Sequence, residues 1–240
     1  MIYNHIDASK ILPAEAYSIK SSEINNSRFY RSPVPPHYWY PSVTTVTGFA
    51  KSSFFVEWRK NPENEKISKH ASNRGNELHL MIEQYLKNNE EYKQNKNLLT
   101  LSLFNQLKPE LHKINNIVVQ ETCLWSDTLR LAGRVDCIAE YDGILSIVDF
   151  KGSGKEKKEE WISNYFEQAS CYALMYQEMV RVPVNQIVIM ISSEDGTTQI
   201  FKREPRKYLK SLHQTIKNYW KSNNFYEIQE KMELKNGSVV

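Results

Sequence analysis

Alternating apolar and polar positions between residues 131 and 151 predict a β-hairpin. Two apolar runs flank Asp142-Gly143, a dipeptide that suits a tight turn with positive φ at both central residues. Because side chains alternate between the two faces of a strand, Asp149 and Lys151 project together and Phe150 points to the opposite face, towards a core.

The hairpin also brings acidic side chains together. Arg134 and Asp136 share one face of the first strand, so pairing through the turn places Asp136, Asp149 and Lys151 at one end of a small sheet. Two neighbouring carboxylates repel unless a cation lies between them, and Mg²⁺ or Mn²⁺ prefers such oxygen ligands. A nearby lysine then polarises a water or offsets charge on a phosphate. An Asp-x-Lys triplet alone is far more often a surface ion pair than a metal site, so the rest of the chain has to decide.

Helical periodicity is clearest over residues 67–86, where apolar residues recur at i, i+3, i+4 and i+7. His79 lies at the margin of this stripe, and it gains importance only if the carboxylates of the hairpin lie opposite. Gly75 costs helix stability, and we expect it to allow another backbone to approach. The same patterns predict a short helix from Phe54 to Lys60 that stops before Pro62, a helix over 98–111, a strand over 117–125, a helix over 161–180, a parallel strand over 186–191, an edge strand ending near Phe201, and a basic amphipathic helix from Lys202 to Lys221.

The two ends of the chain are less regular. Residues 1–40 lack periodicity and lead to Tyr38-Trp39-Tyr40, three aromatic residues that either stack on bases or cover the edge of the core. Residues 42–47 are either a strand or the capped entry to a helix. The basic face of the helix over 202–221 either grips a phosphate backbone or is simply solvated. The last dozen residues are expected to fray.

Composition narrows the class of protein. The chain of 240 residues fits one domain, and its net charge of +3 tolerates a nucleic-acid partner without demanding one. Three widely spaced cysteines argue against a disulfide scaffold, a zinc site and an iron–sulfur cluster, and they favour a reducing compartment. The sequence shows neither a bilayer-spanning apolar segment nor a targeting signal, so we expect a cytoplasmic protein without membrane contact. The Gly-Ser-Gly-Lys run at 152–155 is not a phosphate-binding loop, because its flanking residues do not match.

Four motifs occur in the order helix, strand, strand, helix, and together they resemble the PD-(D/E)xK nuclease superfamily, within it the RecB-like exonuclease branch. They are Gly75-x-x-x-His79, Gly133-Arg-Val-Asp136, Asp149-x-Lys151 and Gln168-x-x-x-Tyr172. Further likeness at residues 41–46, 119–122, 135–141 and 149–153 is to mitochondrial genome maintenance exonucleases and their phage relatives. The resemblance implies an α/β, restriction-endonuclease-like αβββαβ core with a mixed sheet flanked by helices.

This resemblance also implies an organisation and an origin. Residues 1–240 would form one nuclease domain, with a catalytic core over 41–191, an N-terminal extension over 1–40, and a C-terminal strand and basic helix over 192–240. The chain lacks the presequence of the mitochondrial members, so we expect a phage- or bacterium-encoded protein. A role in DNA turnover, repair or recombination is an expectation from the likeness alone.

The resemblance further implies roles for individual residues. His79, Asp136 and Asp149 would bind the metal, with the Phe150 carbonyl as a further ligand, and Lys151 would orient the attacking water and offset charge on the phosphate. Glu121 matches an acidic position of the family without a settled role. Gln168, Tyr172, Ser153, Lys155 and Arg134 would contact DNA, the first two also steadying the site. The implied cofactor is one or two Mg²⁺ or Mn²⁺ ions, with no iron–sulfur cluster.

Three functions remain open at this point. The first is a metal-dependent exonuclease acting on single-stranded DNA with a free end. The second is a structure-specific or restriction-like endonuclease of the same fold, and the third is a non-catalytic module that binds single-stranded nucleic acid. Oligomeric state and cleavage polarity do not follow from the sequence.

Overall fold

The computed structural model describes residues 2–94 and 96–237, which form two sheets joined by helices. The strands are β1 (Ser21–Ile24), β2 (Ser27–Arg31), β3 (Trp39–Pro41), β4 (Ile114–Ser126), β5 (Leu131–Tyr141), β6 (Ile144–Ser153), β7 (Gln186–Ser193) and β8 (Thr198–Arg203). The α-helices are α1 (Val43–Thr47), α2 (Phe49–Trp58), α3 (Pro62–Leu86), α4 (Leu98–Leu111), α5 (Ser163–Val180), α6 (Leu209–Ser222) and α7 (Phe225–Asn236). Short 3₁₀ turns cover Ala8–Lys10, Ala14–Tyr17, Glu90–Lys93, Glu159–Trp161 and Pro205–Tyr208.

The main sheet has the strand order β4-β5-β6-β7-β8 and is mixed. Strands β4, β5 and β6 are antiparallel neighbours, whereas β6 and β7 run parallel, with Asp149 opposite Ile189. A parallel pair needs a crossover, and α5 supplies it. The predicted mixed-sheet αβββαβ core is therefore confirmed. At the hairpin turn, Asp142 and Gly143 have φ values of 50° and 76°, as the dipeptide predicted.

Each face of this sheet is covered by helices, so that it lies at the centre of two apolar cores. One face packs against α3 and α4, where Leu78, Met81, Ile82 and Leu86 are fully buried. The opposite face packs against α1, α5 and α6. Full burial of each such side chain contributes about 1.5–3 kcal/mol, which fixes α3 on the sheet and, with it, the position of His79.

Helix α3 begins at Pro62, five residues before the predicted start. Asn61 caps it by accepting a hydrogen bond of 2.9 Å from the Glu63 amide, and Pro62 occupies the first turn. Proline is favoured at that position because its missing N–H would be unpaired anyway. The proline therefore starts this helix as well as separating it from α2. At residues 42–47 the helix alternative is correct, since Ser42 caps α1.

The chain termini pack together, which the sequence did not predict. Strands β1–β3 form a small antiparallel sheet, and Met232 of α7 is fully buried against Phe29 and Trp39. The expectation of a fraying tail is therefore wrong for the described residues up to 237. Residues 238–240 of that tail lie outside the described residues. Trp39 and Tyr40 are only 2% and 3% exposed, so these aromatic residues cover the core and are not a stacking surface.

The predicted basic helix also begins later than expected. Lys202 and Arg203 belong to β8, where they pair with Val188 and Ile187 of β7, and α6 starts only at Leu209 after a 3₁₀ turn. At Lys202 and Arg203, pairing with β7 therefore outweighs the charge pattern that predicted a helix. Among residues 2–94 and 96–237, no helix is long and apolar enough to cross a membrane.

Candidate active site

A cleft of about 500 Å³ is lined by residues of α3 and α5 and of strands β4, β5 and β6. Several residues that the sequence singled out line this one cleft, among them His79, Glu121, Asp136, Lys151, Gln168 and Tyr172. They come from two helices and three strands, and the sheet register and the packing of α3 and α5 bring them together.

Three of these side chains form a compact cluster. Nδ1 of His79 lies 3.6 Å from Oδ2 of Asp136 and 3.7 Å from Oε1 of Glu121. One ligand atom from each of the three residues can be chosen so that all lie within 4.8 Å of one another. Around an octahedral ion with bonds of about 2.1 Å, opposite ligands lie about 4.2 Å apart, so small side-chain movements suffice to bind a cation here.

Glu121 reaches this cluster through an unusual backbone conformation. The pairs Gln120–Cys137 and Thr122–Val135 on either side place Glu121 directly opposite Asp136. Its φ of 48° is positive, which is uncommon for a residue other than glycine and is found at strained functional positions. Two carboxylates directly opposite each other destabilise a sheet. A bound divalent cation would relieve that repulsion, and the oxygen-rich donor set with one imidazole suits Mg²⁺ or Mn²⁺.

The electrostatics of His79 reflect the same cluster. Burial alone lowers the pKa of this imidazole, but the carboxylates of Asp136 and Glu121 outweigh burial and raise the pKa of His79 to about 9. Without a metal, the imidazole is therefore the cation that balances the two carboxylates.

Beside this cluster, the buried Asp149 forms an ion pair with Lys151, which is half-buried. Nζ of Lys151 lies 2.5 Å from Oδ2 of Asp149, and Nε2 of Gln168 donates a hydrogen bond of 3.2 Å to Oδ1. Burial raises the pKa of Asp149, an effect that the neighbouring ammonium opposes. Burial lowers the pKa of Lys151, but Asp149 and Asp136 outweigh it and leave the pKa raised, so Lys151 remains an ammonium.

Comparison with known proteins connects this geometry to a family. The family model described as the PD-(D/E)XK nuclease superfamily matches residues 42–233. The chain belongs to this superfamily. Divalent metal ions are the cofactors of such nucleases, and the acidic cluster described above is a candidate site for one. The resemblance found in the motifs is thereby confirmed, although the roles of individual residues stay predictions.

The chain is also similar to individual exonucleases. It is 26% identical over 174 residues to mitochondrial genome maintenance exonuclease 1 of Homo sapiens, covering 65% of this chain and 50% of that protein. It is 27% identical over 128 residues to the Mus musculus protein, covering 49% of this chain and 38% of that one. The chain thus spans half or less of these relatives. A candidate exonuclease from Eubacterium rectale has a structure with a TM-score of 0.46, at 13% identity, covering 71% of this chain and 69% of that one.

Within this cleft, the predicted metal ligands fall into two groups. His79 and Asp136 belong to the cluster, whereas Asp149 pairs with Lys151 and lies outside the three groups that meet within 4.8 Å. The Phe150 side chain is buried in the core as the alternation predicted, and its backbone N–H donates a hydrogen bond of 2.9 Å to Oδ2 of Asp136. Ligation by Asp149 and by the Phe150 carbonyl stays a prediction.

Tyr172 is held in the cleft by contact with β5. A Cβ atom at Gly133 would lie 2.7 Å from the Tyr172 hydroxyl, closer than side chains tolerate. Glycine at this position therefore lets the hydroxyl end of the buried Tyr172 side chain lie against the strand that carries Asp136. Burial raises the pKa of Tyr172 well above its ordinary value, so the hydroxyl stays protonated and can donate a hydrogen bond.

The predicted DNA-contacting residues are divided by the structure. Arg134 lines the cleft, whereas Ser153, the last residue of β6, and Lys155, in the turn that follows, lie outside the cleft lining. There the Ser153 hydroxyl donates a hydrogen bond of 2.7 Å to the Lys155 carbonyl. The close backbone approach expected at Gly75 is wrong, since no described heavy atom lies within 4 Å of a Cβ built there, and this glycine faces the cleft.

Sequence reasoning missed Arg28, which lines the cleft from β2. Its carbonyl accepts a hydrogen bond of 2.8 Å from the Ser42 amide, which ties the small sheet to the entry of α1. The alternation of polar and apolar side chains over residues 27–31 is the sequence signal for β2. No nearby sequence motif links Arg28 to the nuclease motifs. The sequence also did not assign Glu121 to the ligand cluster, because its position depends on a positive φ that the residue type does not indicate.

Proposed function

We propose that this chain is a metal-dependent exonuclease that hydrolyses phosphodiester bonds in single-stranded DNA with a free end. The observation that carries the proposal is the convergence of His79, Glu121 and Asp136 in one cleft, beside the Asp149–Lys151 ion pair. A binding module has no need for two carboxylates and an imidazole gathered at one point.

Phosphodiester hydrolysis adds water to phosphorus, breaks one P–O bond and leaves a phosphate on one product and a hydroxyl on the other. Bound at the acidic cluster, Mg²⁺ or Mn²⁺ would supply positive charge to the phosphate and help to activate the attacking water. His79, Glu121 and Asp136 would hold one or two such ions, with Asp149 a further candidate.

The remaining residues of the cleft position the substrate. The Lys151 ammonium donates hydrogen bonds to the phosphate oxygens or to the water and offsets the negative charge that develops. Gln168 holds Asp149 in place through its amide, and the Tyr172 hydroxyl is a donor for the DNA strand. Arg28 and Arg134 lie at the wall of the cleft, where their guanidinium groups can bind backbone phosphates.

Exposed aromatic side chains support a single-stranded substrate. Every residue of α2 is at least partly exposed, and Phe54 and Phe55 are 63% and 41% exposed. This helix follows α1, whose Thr44 lines the cleft. Unpaired bases stack on such rings with about 1–3 kcal/mol each, whereas the bases of a duplex are already stacked on each other.

The decisive experiment follows end-labelled linear single-stranded DNA in Mg²⁺ or Mn²⁺, with EDTA as the blank. We expect Asp149→Asn and Lys151→Met to abolish nucleotide release. The chain offers a matched control, because Lys202 and Asp142 form an ion pair with the same 2.5 Å separation at an exposed position outside the cleft. Asp142→Asn and Lys202→Met should retain full activity. Cleavage in EDTA, or full activity in both site variants, would contradict the proposal.

Assays on circular and linear single-stranded DNA distinguish the two alternative functions from an exonuclease. An endonuclease cuts circular single-stranded DNA, which an enzyme that needs an end leaves intact. A binding module binds the linear strand with ordinary affinity but leaves it uncut in Mn²⁺.

A further inference from the structure

Helix α5 carries one further aromatic side chain beside the cleft, at a position outside the four sequence motifs. Gln168 and Tyr172 of this helix line the cleft. Tyr165 precedes them by three and seven residues, and residues with the spacing i, i+3 and i+7 share one face of a helix. Tyr165 therefore lies one turn before Gln168 on the face of α5 that meets β6.

The ring of Tyr165 faces the ammonium of Lys151. Nζ of Lys151 lies over this ring at 5.3 Å from its centroid, within the distance of about 6 Å at which an aromatic face attracts a cation. The same Nζ lies 2.5 Å from Oδ2 of Asp149, whose Oδ1 accepts the hydrogen bond from Gln168. Helix α5 thus contacts both members of the ion pair, Asp149 through Gln168 and Lys151 through Tyr165.

The surroundings of Tyr165 hold its ring in place as a neutral group. The side chain is half-buried and packs against the core that α5 and α6 form on one face of the sheet. Its amide donates a hydrogen bond of 2.8 Å to the Ile162 carbonyl at the start of α5. Burial raises the pKa of Tyr165 by more than the Lys151 ammonium lowers it. The attraction between the two groups is therefore that of a cation for the face of a neutral ring.

A second partner restricts where the Lys151 ammonium can lie. A lysine side chain has four flexible carbons, so an ammonium with one partner can adopt several positions. With Asp149 and the ring of Tyr165 as two partners, the ammonium is confined to one of them. Its side chain remains 20% exposed and lines the cleft, so it is still free to meet a phosphate there.

We propose that Tyr165 is a positioning residue, whose ring face holds the Lys151 ammonium at the point where it meets the phosphate or the attacking water. The proposal rests on the proposed nuclease function and adds a residue to it. Tyr165 itself is not among the residues that line the cleft, so its effect on the reaction passes through Lys151. Loss of the ring should therefore slow cleavage and leave the binding of DNA and metal intact.

Substitutions of Tyr165 separate the ring from the hydroxyl. We expect Tyr165→Leu to lower kcat about five- to thirtyfold, equivalent to roughly 1–2 kcal/mol, with KM and Mn²⁺ affinity unchanged. Tyr165→Phe keeps the ring and should retain at least half of the rate. Tyr92 is the matched control, because it is also half-buried and its ring lies 5.5 Å from Nζ of Lys93, outside the cleft lining. Tyr92→Leu should cleave DNA at the wild-type rate.

Fluorinated phenylalanines at position 165 test the ring face itself. Each added fluorine withdraws electron density from the ring and weakens its attraction for a cation, with little change in shape. We expect the logarithm of the rate to fall stepwise with the number of fluorines. A purely structural ring would give a flat series. A flat series, or equal losses of rate in Tyr165→Phe and Tyr165→Leu, would overturn the proposal.

A measurement without DNA keeps this proposal separate from the nuclease proposal. In a double-mutant cycle of Tyr165→Leu and Lys151→Met, urea unfolding measures how the two side chains interact. Their effects on the unfolding equilibrium constant should depart from additivity by at least about threefold. Additive effects would contradict the contact whether or not the protein cuts DNA. Coupled effects in a wild type that cuts no DNA would support the contact and contradict the nuclease function alone.

Discussion

Substitution of Gly133 by alanine is expected to displace the Tyr172 side chain, and the structure gives the size of the steric clash. The added Cβ would lie 2.7 Å from the Tyr172 hydroxyl oxygen, 3.1 Å from Cε1 and 3.3 Å from Cζ, whereas ordinary contacts begin near 3.4 Å. The ring must therefore retreat by about 0.7 Å, yet it is fully buried within the core. Overpacking of this kind costs about 1–3 kcal/mol. We also expect a lower rate of DNA cleavage, because the ring lines the cleft.

A double-mutant cycle with Tyr172→Phe isolates this contact. Removing the hydroxyl leaves 3.1 Å as the shortest separation, so Gly133→Ala should cost less than about 1 kcal/mol in that background. Urea unfolding of the four proteins measures the coupling. Gly154 is the control, because a Cβ built there has no described atom within 4 Å, so alanine should be neutral or slightly stabilising. Equal costs of Gly133→Ala in both backgrounds would refute the reasoning.

Three further predictions concern the small core, a charge network and the exposed aromatic helix. Met232→Ala should lower the free energy of unfolding by about 2–5 kcal/mol because Met232 is fully buried, whereas the 78% exposed Leu234 should tolerate alanine; equal losses in urea unfolding would contradict this. Burial alone would raise the pKa of Glu110, but hydrogen bonds from Tyr141 and Lys113 outweigh it and lower that pKa. A lowered pKa contributes stability above about pH 4.3, so the stability difference between wild type and Glu110→Gln should shrink as the pH falls below that value; a difference independent of pH would speak against it. Replacing Phe54 and Phe55 together by alanine should weaken binding of single-stranded DNA by about 1–3 kcal/mol per lost stack without affecting Mn²⁺ binding, and unchanged DNA affinity in a titration would count against the stacking role.

The sequence predicted the central part of the fold well, since periodicity is strong where an element is buried on one face. The stripe of Leu78, Met81 and Ile82 and the alternation around Asp149 and Lys151 correspond to the observed helix and strand. The helix boundaries near Pro62 are harder to predict, because a proline can follow the end of one helix or begin the next. In the structure Pro62 begins α3, and Asn61 caps that helix. The small sheet and α7 went unpredicted, since their burial depends on contacts between residues about 190 positions apart, such as those of Trp39 with Gln229.

The candidate site was predicted in part for the same reasons. Motif spacing identified His79, Asp136 and the Asp149–Lys151 pair, which depend on regular elements. The place of Glu121 in the ligand cluster depends on a positive φ in the middle of a strand, and that of Arg28 depends on how the small sheet packs beside β5. Neither leaves a local pattern in the sequence.

Binding of Mn²⁺ to the protein tests the proposed cation site most directly. It can be measured by calorimetry or from the electron paramagnetic resonance signal of free Mn²⁺. Glu140 lies on the same strand as Asp136 but outside the cleft lining and provides the control. We expect wild type and Glu140→Gln to bind Mn²⁺ alike. Glu121→Gln and Asp136→Asn should each bind it at least tenfold more weakly, a loss of about 1.4 kcal/mol in binding free energy. Wild-type affinity in both cleft variants, or no Mn²⁺ binding by the wild type, would contradict a cation site formed by His79, Glu121 and Asp136.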